Sequence, residues 1–174
     1  IDAVLRGDLV EKAAEAGLRS VFIGFETLSD ANLSQGNKKQ NIGKSYEEAI
    51  KRLHSLGIMI NGSFVFGLDE DDKDVFKRTV DWGVRNALTT STYHILTPYP
   101  GTRLYQSMKQ QDRILHDNWS LYDTRHVVYK TRGLSPTELK EGYDWAYQSF
   151  YSWSNVWKAS WQHEKLQHTI KHFA

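Results

Sequence analysis

The sequence predicts an α/β fold: part of a parallel (β/α) barrel of the TIM type, followed by an aromatic-rich, mainly helical extension. Three observations carry that reading. Short, nearly continuous apolar runs recur with about 35 residues between them, and helical patterning fills the intervals, the rhythm of parallel strands joined by crossover helices. Each run also divides, by alternation, into one bulky face and one face of small or polar groups. A doubly wound sheet with helices on both sides would be apolar on both faces. A barrel whose lumen holds a polar ligand has the one-sided pattern found here. One bulge inverts such a parity, so the doubly wound sheet stays as the competing architecture.

The elements follow in order. Leu5, Leu9, Val10, Ala13, Ala14 and Ala16 form a helical stripe, with Asp8 near its start and Gly17 as its stop. Ser20 to Phe25, ending at Glu26-Thr27, reads as a strand buried on both faces. Leu28 to Gly43 is polar and reads as a long loop. From Lys44 to Ser55, the apolar positions Tyr46, Ala49, Ile50 and Leu53 predict a helix stopped by Gly57. Ile58 to Phe66 is a second strand, closed by Gly67. A helix capped by Asp71 or Asp72 follows, with Val75, Phe76, Thr79, Val80 and Val84 as its stripe. Thr90 to Thr97 is the third strand, and Arg103 to about Gln110 a short helix.

Beyond Gln111 the pattern changes, which divides the chain into a barrel part, 1–112, and an extension, 113–174. Ser135-Pro136-Thr137-Glu138 carries a capping box with Pro at the first helical position. From Leu139 the residues Tyr143, Tyr147, Phe150, Trp153, Trp157 and Trp161 continue at helical spacing as one aromatic stripe. Such a stripe is expected to pack on the main body, with a partner-binding surface as the other reading.

Composition excludes several function classes. With 22 Lys+Arg against 21 Asp+Glu, no global field draws the chain to nucleic acid or an anionic membrane. No apolar run reaches membrane-span length and no signal peptide is visible, so a cytoplasmic location is expected. With no Cys among 174 residues, the chain holds no disulfide, thiolate zinc site, cysteine nucleophile or cysteine-ligated iron–sulfur cluster of its own.

Several side chains invite chemistry. Glu26 closes a buried run at the strand end where β/α folds place ligand residues. It reads either as a ligand for hydroxyls or as a capping group. Asn61, Ser63, Val65 and Gly67 share one face of the second strand, and Thr92 and His94 one face of the third. Asp69, Glu70, Asp71, Asp72 and Asp74 are dense in charge but lack a calcium-loop glycine, and acids at a helix N-terminus suit its dipole. Lys38 and Lys39 lie where they would clamp an anion or simply face solvent. His163, His168 and His172 have no carboxylate ligand alongside for a metal.

Three segments together, Phe22-Ile23-Gly24-Phe25-Glu26-Thr27, Gly62-Ser63-Phe64-Val65-Phe66-Gly67-Leu68 and Ile95-Leu96-Thr97-Pro98-Tyr99-Pro100-Gly101-Thr102, resemble the second half of a radical S-adenosylmethionine (SAM) domain. The likeness is to the Fe–S oxidoreductase group that carries an N-terminal cobalamin-binding domain. The stretch Trp119 to Tyr129 and the aromatic helix are similar to that group's C-terminal extension. The resemblance implies the C-terminal half of a barrel in which a 4Fe-4S cluster and SAM generate a 5′-deoxyadenosyl radical. By position, it implies that Glu26 binds the ribose hydroxyls. Ser63, Val65, Gly67 and Glu70 are similar to a G-x-I-x-G-x-x-E pattern whose strand backs the adenine, with Ser and Val departing from it. Thr97 and Pro98 would approach the adenine through backbone groups, while Asn61, His94 and Lys38 would line the substrate space.

The cysteine loop and the methionine-binding strand of such domains are absent here and would lie upstream of Ile1. The expected partners are therefore the N-terminal half of the same polypeptide and a small-molecule substrate, with cobalamin implied for the parent only by likeness. The isolated chain is expected to be inactive. Because half a barrel leaves a strand edge and a lumen face uncovered, it is also expected to self-associate or be marginally stable. Two other functions stay open. One is a non-catalytic module engaging a protein or RNA through the aromatic helix. The other is a hydrolase or isomerase using Glu26 and His94 as acid/base groups.

Overall fold

The computed structural model describes residues 2–29, 32, 46–161 and 170. Lys38, Lys39, His163, His168 and His172 lie outside them, so the expectations attached to those side chains have no structural counterpart here. Helices α1 (Asp2–Leu5) and α2 (Leu9–Glu15) lead into strand β1 (Ser20–Glu26). Then come α3 (Tyr46–Ser55), β2 (Met59–Phe66), α4 (Val75–Arg85), β3 (Thr90–Ile95) and α5 (Arg103–Gln110). A short 3-10 turn, Trp119–Leu121, precedes α6 (Pro136–Phe150) and α7 (Trp153–Ser160). None of the described helices is long and apolar enough to cross a membrane.

The strands form one parallel sheet in the order β1-β2-β3. Its helix-facing side is aromatic. Phe25, Phe64 and Tyr93 stack across the strands, with ring centroids 5.4 Å and 5.9 Å apart, and Trp82 of α4 meets Phe25 edge-on at 5.0 Å. Such pairs add about 0.5–1.5 kcal/mol each to the area they bury. Ile60, Phe66 and Ile95 complete this buried face. The opposite face carries Phe22, Gly24, Asn61, Ser63, Val65, Thr92 and His94, among them Phe22 at 65% exposed. The sheet thus has the expected alternation of a bulky side and a small, polar side.

Three local expectations are corrected. The first helical stripe is two helices, because Gly7 takes a φ of 63° between them. Asp74, not Asp71 or Asp72, occupies the N-cap of α4, and its side chain makes no capping bond. The aromatic stripe is not one helix either. It breaks at Tyr151-Ser152, where Ser152 caps α7 by accepting from the Asn155 N–H. Leu139, Tyr143 and Phe150 on α6 are buried against α4 and β3, whereas Trp153, Trp157 and Trp161 are 80%, 54% and 63% exposed. The capping box at Ser135 and Glu138 is present in full.

Of the two edges of the sheet, one is covered within the chain. The outward-facing backbone of β3 is already occupied. The Tyr151 hydroxyl accepts from Ser91 N–H and donates to Ser91 O (3.1 and 2.9 Å), Tyr147 does the same at Tyr93 (3.1 and 3.2 Å), and Ile95 N–H donates to Thr124 O (2.7 Å). Among the described residues only β1 pairs on one side with its other edge open.

Candidate functional site

The open face is laid out in rungs, with neighbouring strands about 4.8 Å apart. Phe22, Asn61 and Thr90 form one rung, Gly24, Ser63 and Thr92 the next, and Val65 and His94 the one nearest the C-terminal rim. Glu26 joins them by an irregularity. The register slips after Gly24, which pairs with Ser63, so that Glu26 pairs with Phe64 and Phe25 is the extra residue of a bulge. Glu26 itself has a φ of 66°, a conformation that costs a non-glycine residue about 1 kcal/mol or more. The bulge returns the carboxylate over Gly24, where a Cβ would stand 3.0 Å from Glu26 Oε1. Glu26 and Gly24 therefore share a face, as the alternation predicts, although by a different backbone path.

Asn61, Ser63, Val65, His94 and Glu26 are thus brought to one surface. The side-chain oxygen of Asn61 is shielded from solvent and has no hydrogen-bond partner among the described residues. His94 Nδ1 lies 3.2 Å from the Thr124 hydroxyl, and both residues line a groove of about 550 Å³ together with Arg125, Tyr143, Asp144 and Gln148.

Gly67, Glu70, Thr97 and Pro98 form the rim above the strands instead. Gly67 has a φ of 91°, and an added Cβ would collide with Tyr129 Oη, which donates to Gly67 O. Thr97 is buried and its hydroxyl donates to Ile95 O (3.0 Å), so that side chain is committed to its own backbone. Pro98 is buried beside it, while Glu70 is exposed.

The acidic run resolves into distinct jobs. Asp69 pairs with Arg113 at 2.5 Å and with Arg132 at 3.2 Å, and Asp72 pairs with Arg78 at 2.8 Å. Asp71 is 3% exposed and accepts from Gly67 N–H (2.8 Å), Leu68 N–H (3.0 Å) and Asn32 Nδ2 (2.8 Å). Burial pushes its carboxyl up to about 6, against the lowering pull of those hydrogen bonds. Sequence reasoning missed Asp71 and Asn32. An acid four residues after the strand-closing glycine was a readable sign for the first, but no sign in the sequence marks the second.

Among the described residues no group of three His, Cys, Asp or Glu is arranged to hold a metal ion, and the chain has no Cys. An iron–sulfur cluster held by thiolates does not fit this chain. A nucleoside fits better, since the face offers a carboxylate and a glycine whose missing side chain makes room for that carboxylate.

No protein-family model matches the chain. It is similar to bacteriochlorophyllide d C-12(1)-methyltransferase of Chlorobaculum tepidum, 33% identical over 151 residues that make up 87% of this chain and 33% of that enzyme. It is 26% identical over 148 residues to the C-8(2)-methyltransferase of the same organism, covering 84% of this chain and 33% of the relative. A third likeness, 26% over 157 residues, is to the anaerobic magnesium-protoporphyrin IX monomethyl ester cyclase of Cereibacter sphaeroides, covering 89% of this chain and 25% of the relative. The chain spans a third or less of the length of these relatives. All three are enzymes, and they agree at the level of the family with the resemblance carried by the three sequence motifs.

Proposed function

We propose that the chain is the C-terminal half of the barrel of a radical SAM enzyme, contributing nucleoside and substrate contacts to a catalytic domain completed by the rest of its parent. The observation that carries the reading is the Glu26 bulge: a strained backbone that seats its carboxylate over Gly24, at the C-terminal end of a parallel strand, facing a polar sheet surface. Ligands of open parallel sheets gather at that end. The similarity to two methyltransferases and a cyclase supports an enzyme parent.

In this reading Glu26 accepts hydrogen bonds from a pair of ribose hydroxyls, and Ser63, Val65 and Gly67 form the surface behind the base. Glu70, Thr97 and Pro98 complete the rim, while Asn61 and His94 face the substrate. SAM supplies the one-electron chemistry when bound, with a cluster whose ligands lie outside this chain. The residues here bind, orient and exclude water. Cobalamin belongs to the same reading of the parent, as do a cytoplasmic location and a small-molecule substrate, and the isolated chain is read as inactive.

The test uses the intact parent, purified without oxygen and reconstituted with iron and sulfide. With SAM and a strong reductant, it is expected to form 5′-deoxyadenosine. Glu26→Ala should abolish most of that product, and the 174-residue chain alone should make none. A cluster-loaded parent that yields no 5′-deoxyadenosine overturns the reading.

A further inference from the structure

The turn that closes β2 is gripped from three sides. From within, the Asp71 carboxylate accepts from Gly67 N–H and Leu68 N–H at 2.8 and 3.0 Å. From the segment after β1, Asn32, 2% exposed, donates through Nδ2 to Asp71 (2.8 Å) while its Oδ1 accepts from Glu70 N–H (3.2 Å). From the extension, Tyr129 donates to Gly67 O, and Arg113 forms two bonds to Asp69 at 2.5 and 3.3 Å.

The amide of Asn32 admits one orientation in this setting. Its oxygen is taken by the Glu70 N–H, so its NH₂ group must face an acceptor, and the acceptor is the Asp71 carboxylate. Asn32 therefore holds the far end of the turn at Glu70 and Asp71, and Asp71 carries the grip on to Gly67 and Leu68. Asn32 also sits six positions beyond Glu26, the last residue of β1, so the pair ties the segment that follows β1 to the turn carrying Gly67 and Glu70.

We propose that Asp71, acting with Asn32, is a positioning residue that sets the Gly67–Glu70 turn against the Glu26 bulge. The inference rests on the nucleoside-binding reading above. Asp71 touches no ligand in this scheme. It holds the backbone that does, and a misplacement of about 1 Å at such a site costs up to ~100-fold.

The experiment measures SAM affinity by equilibrium dialysis with the reconstituted parent. Asn32→Ala and Asp71→Asn are each expected to weaken binding roughly tenfold, the latter because its new NH₂ group faces that of Asn32. The double variant should be no weaker than the poorer single one, since both break the same link. Arg52→Ala, which removes the ion pair to Glu11 near the chain start, serves as the control and is expected to lower the melting temperature with affinity unchanged. If Asp71→Asn does not fold, Asn32→Ala carries the test. Folded variants that bind SAM within twofold of wild type, or losses that simply add, overturn the inference and leave the nucleoside reading standing. A cluster-loaded wild type that does not bind SAM overturns both.

Discussion

The hydroxyl of Tyr147 closes on the backbone of Tyr93, accepting from its N–H at 3.1 Å and donating to its carbonyl at 3.2 Å. Tyr151 repeats the arrangement at Ser91. The match is one of pitch: four helical residues rise ~6 Å and two strand residues ~6.6 Å, so Tyr147 on α6 and Tyr151 at its C-cap meet alternate residues on β3. A strand edge, ordinarily a template for pairing with another chain, is sealed by two phenols.

Replacing those phenols should reopen the edge. Tyr147→Phe and Tyr151→Phe each leave a backbone donor and acceptor short of a partner, which costs about 1–3 kcal/mol in urea unfolding of the parent. The double variant should also form dimers or larger species in sedimentation velocity. A double variant as stable and as monodisperse as wild type would show that the hydroxyls do not protect the edge.

Gly24→Ala tests the seat of the carboxylate. Its Cβ would lie 3.0 Å from Glu26 Oε1, so the carboxylate must shift by a few tenths of an ångström while the strand keeps its pairing. The expected result is a loss of 5′-deoxyadenosine formation, with a melting temperature close to wild type. Unchanged product formation would place the functional carboxylate elsewhere.

Gly67→Ala should cost stability outright. The position has a φ of 91°, and the new methyl would meet Tyr129 Oη as well as Leu139 Cδ2 at 2.8 Å. A left-handed backbone and overpacking together amount to roughly 2–5 kcal/mol. Relief by a second change, Tyr129→Phe, would identify the hydroxyl as the obstacle.

Asp71 makes stability depend on pH. Its carboxyl is raised from an ordinary 3.8 to about 6 in the folded protein, chiefly by burial, with Arg78 the nearby charge that lowers it. The unfolded chain therefore releases this proton first. The stabilisation is complete below about pH 4 and is lost as pH rises through about 6, a fall of roughly 3 kcal/mol at most. Denaturant titrations between pH 4 and 7 should show that decline, and Asp71→Asn should flatten it. A stability that rises with pH across this window, equally in both proteins, would contradict it.

The strands, the α3 and α4 stripes, the Ser135–Glu138 capping box and the division of each strand into two faces follow from periods of two and 3.6 and from contacts three or four residues apart. A single sequence displays such relations directly. Glu26, Asn61, Ser63 and His94 are therefore legible in the sequence as sharing the small, polar face. The break at Ser152 was also local, yet the unbroken spacing of aromatic residues from Tyr147 to Trp157 hid it. Asp71 was visible as an acid but was placed on the wrong task, because capping a helix and tying a glycine turn call for the same residue type.

What the sequence determined by itself was thus the order of elements and the chemistry of each face, both set by near neighbours. Tertiary structure alone decided which edge is closed, where the Glu26 carboxylate stands and what Asp71 holds. The pairs that make those choices are 54, 60 and 39 residues apart, Tyr147 with Tyr93, Tyr151 with Ser91 and Asn32 with Asp71. No short-range period records such a meeting. It comes from packing α6 along β3 and from a bulge that turns β1, where the side chains that happen to face each other satisfy buried backbone groups that would otherwise go without partners.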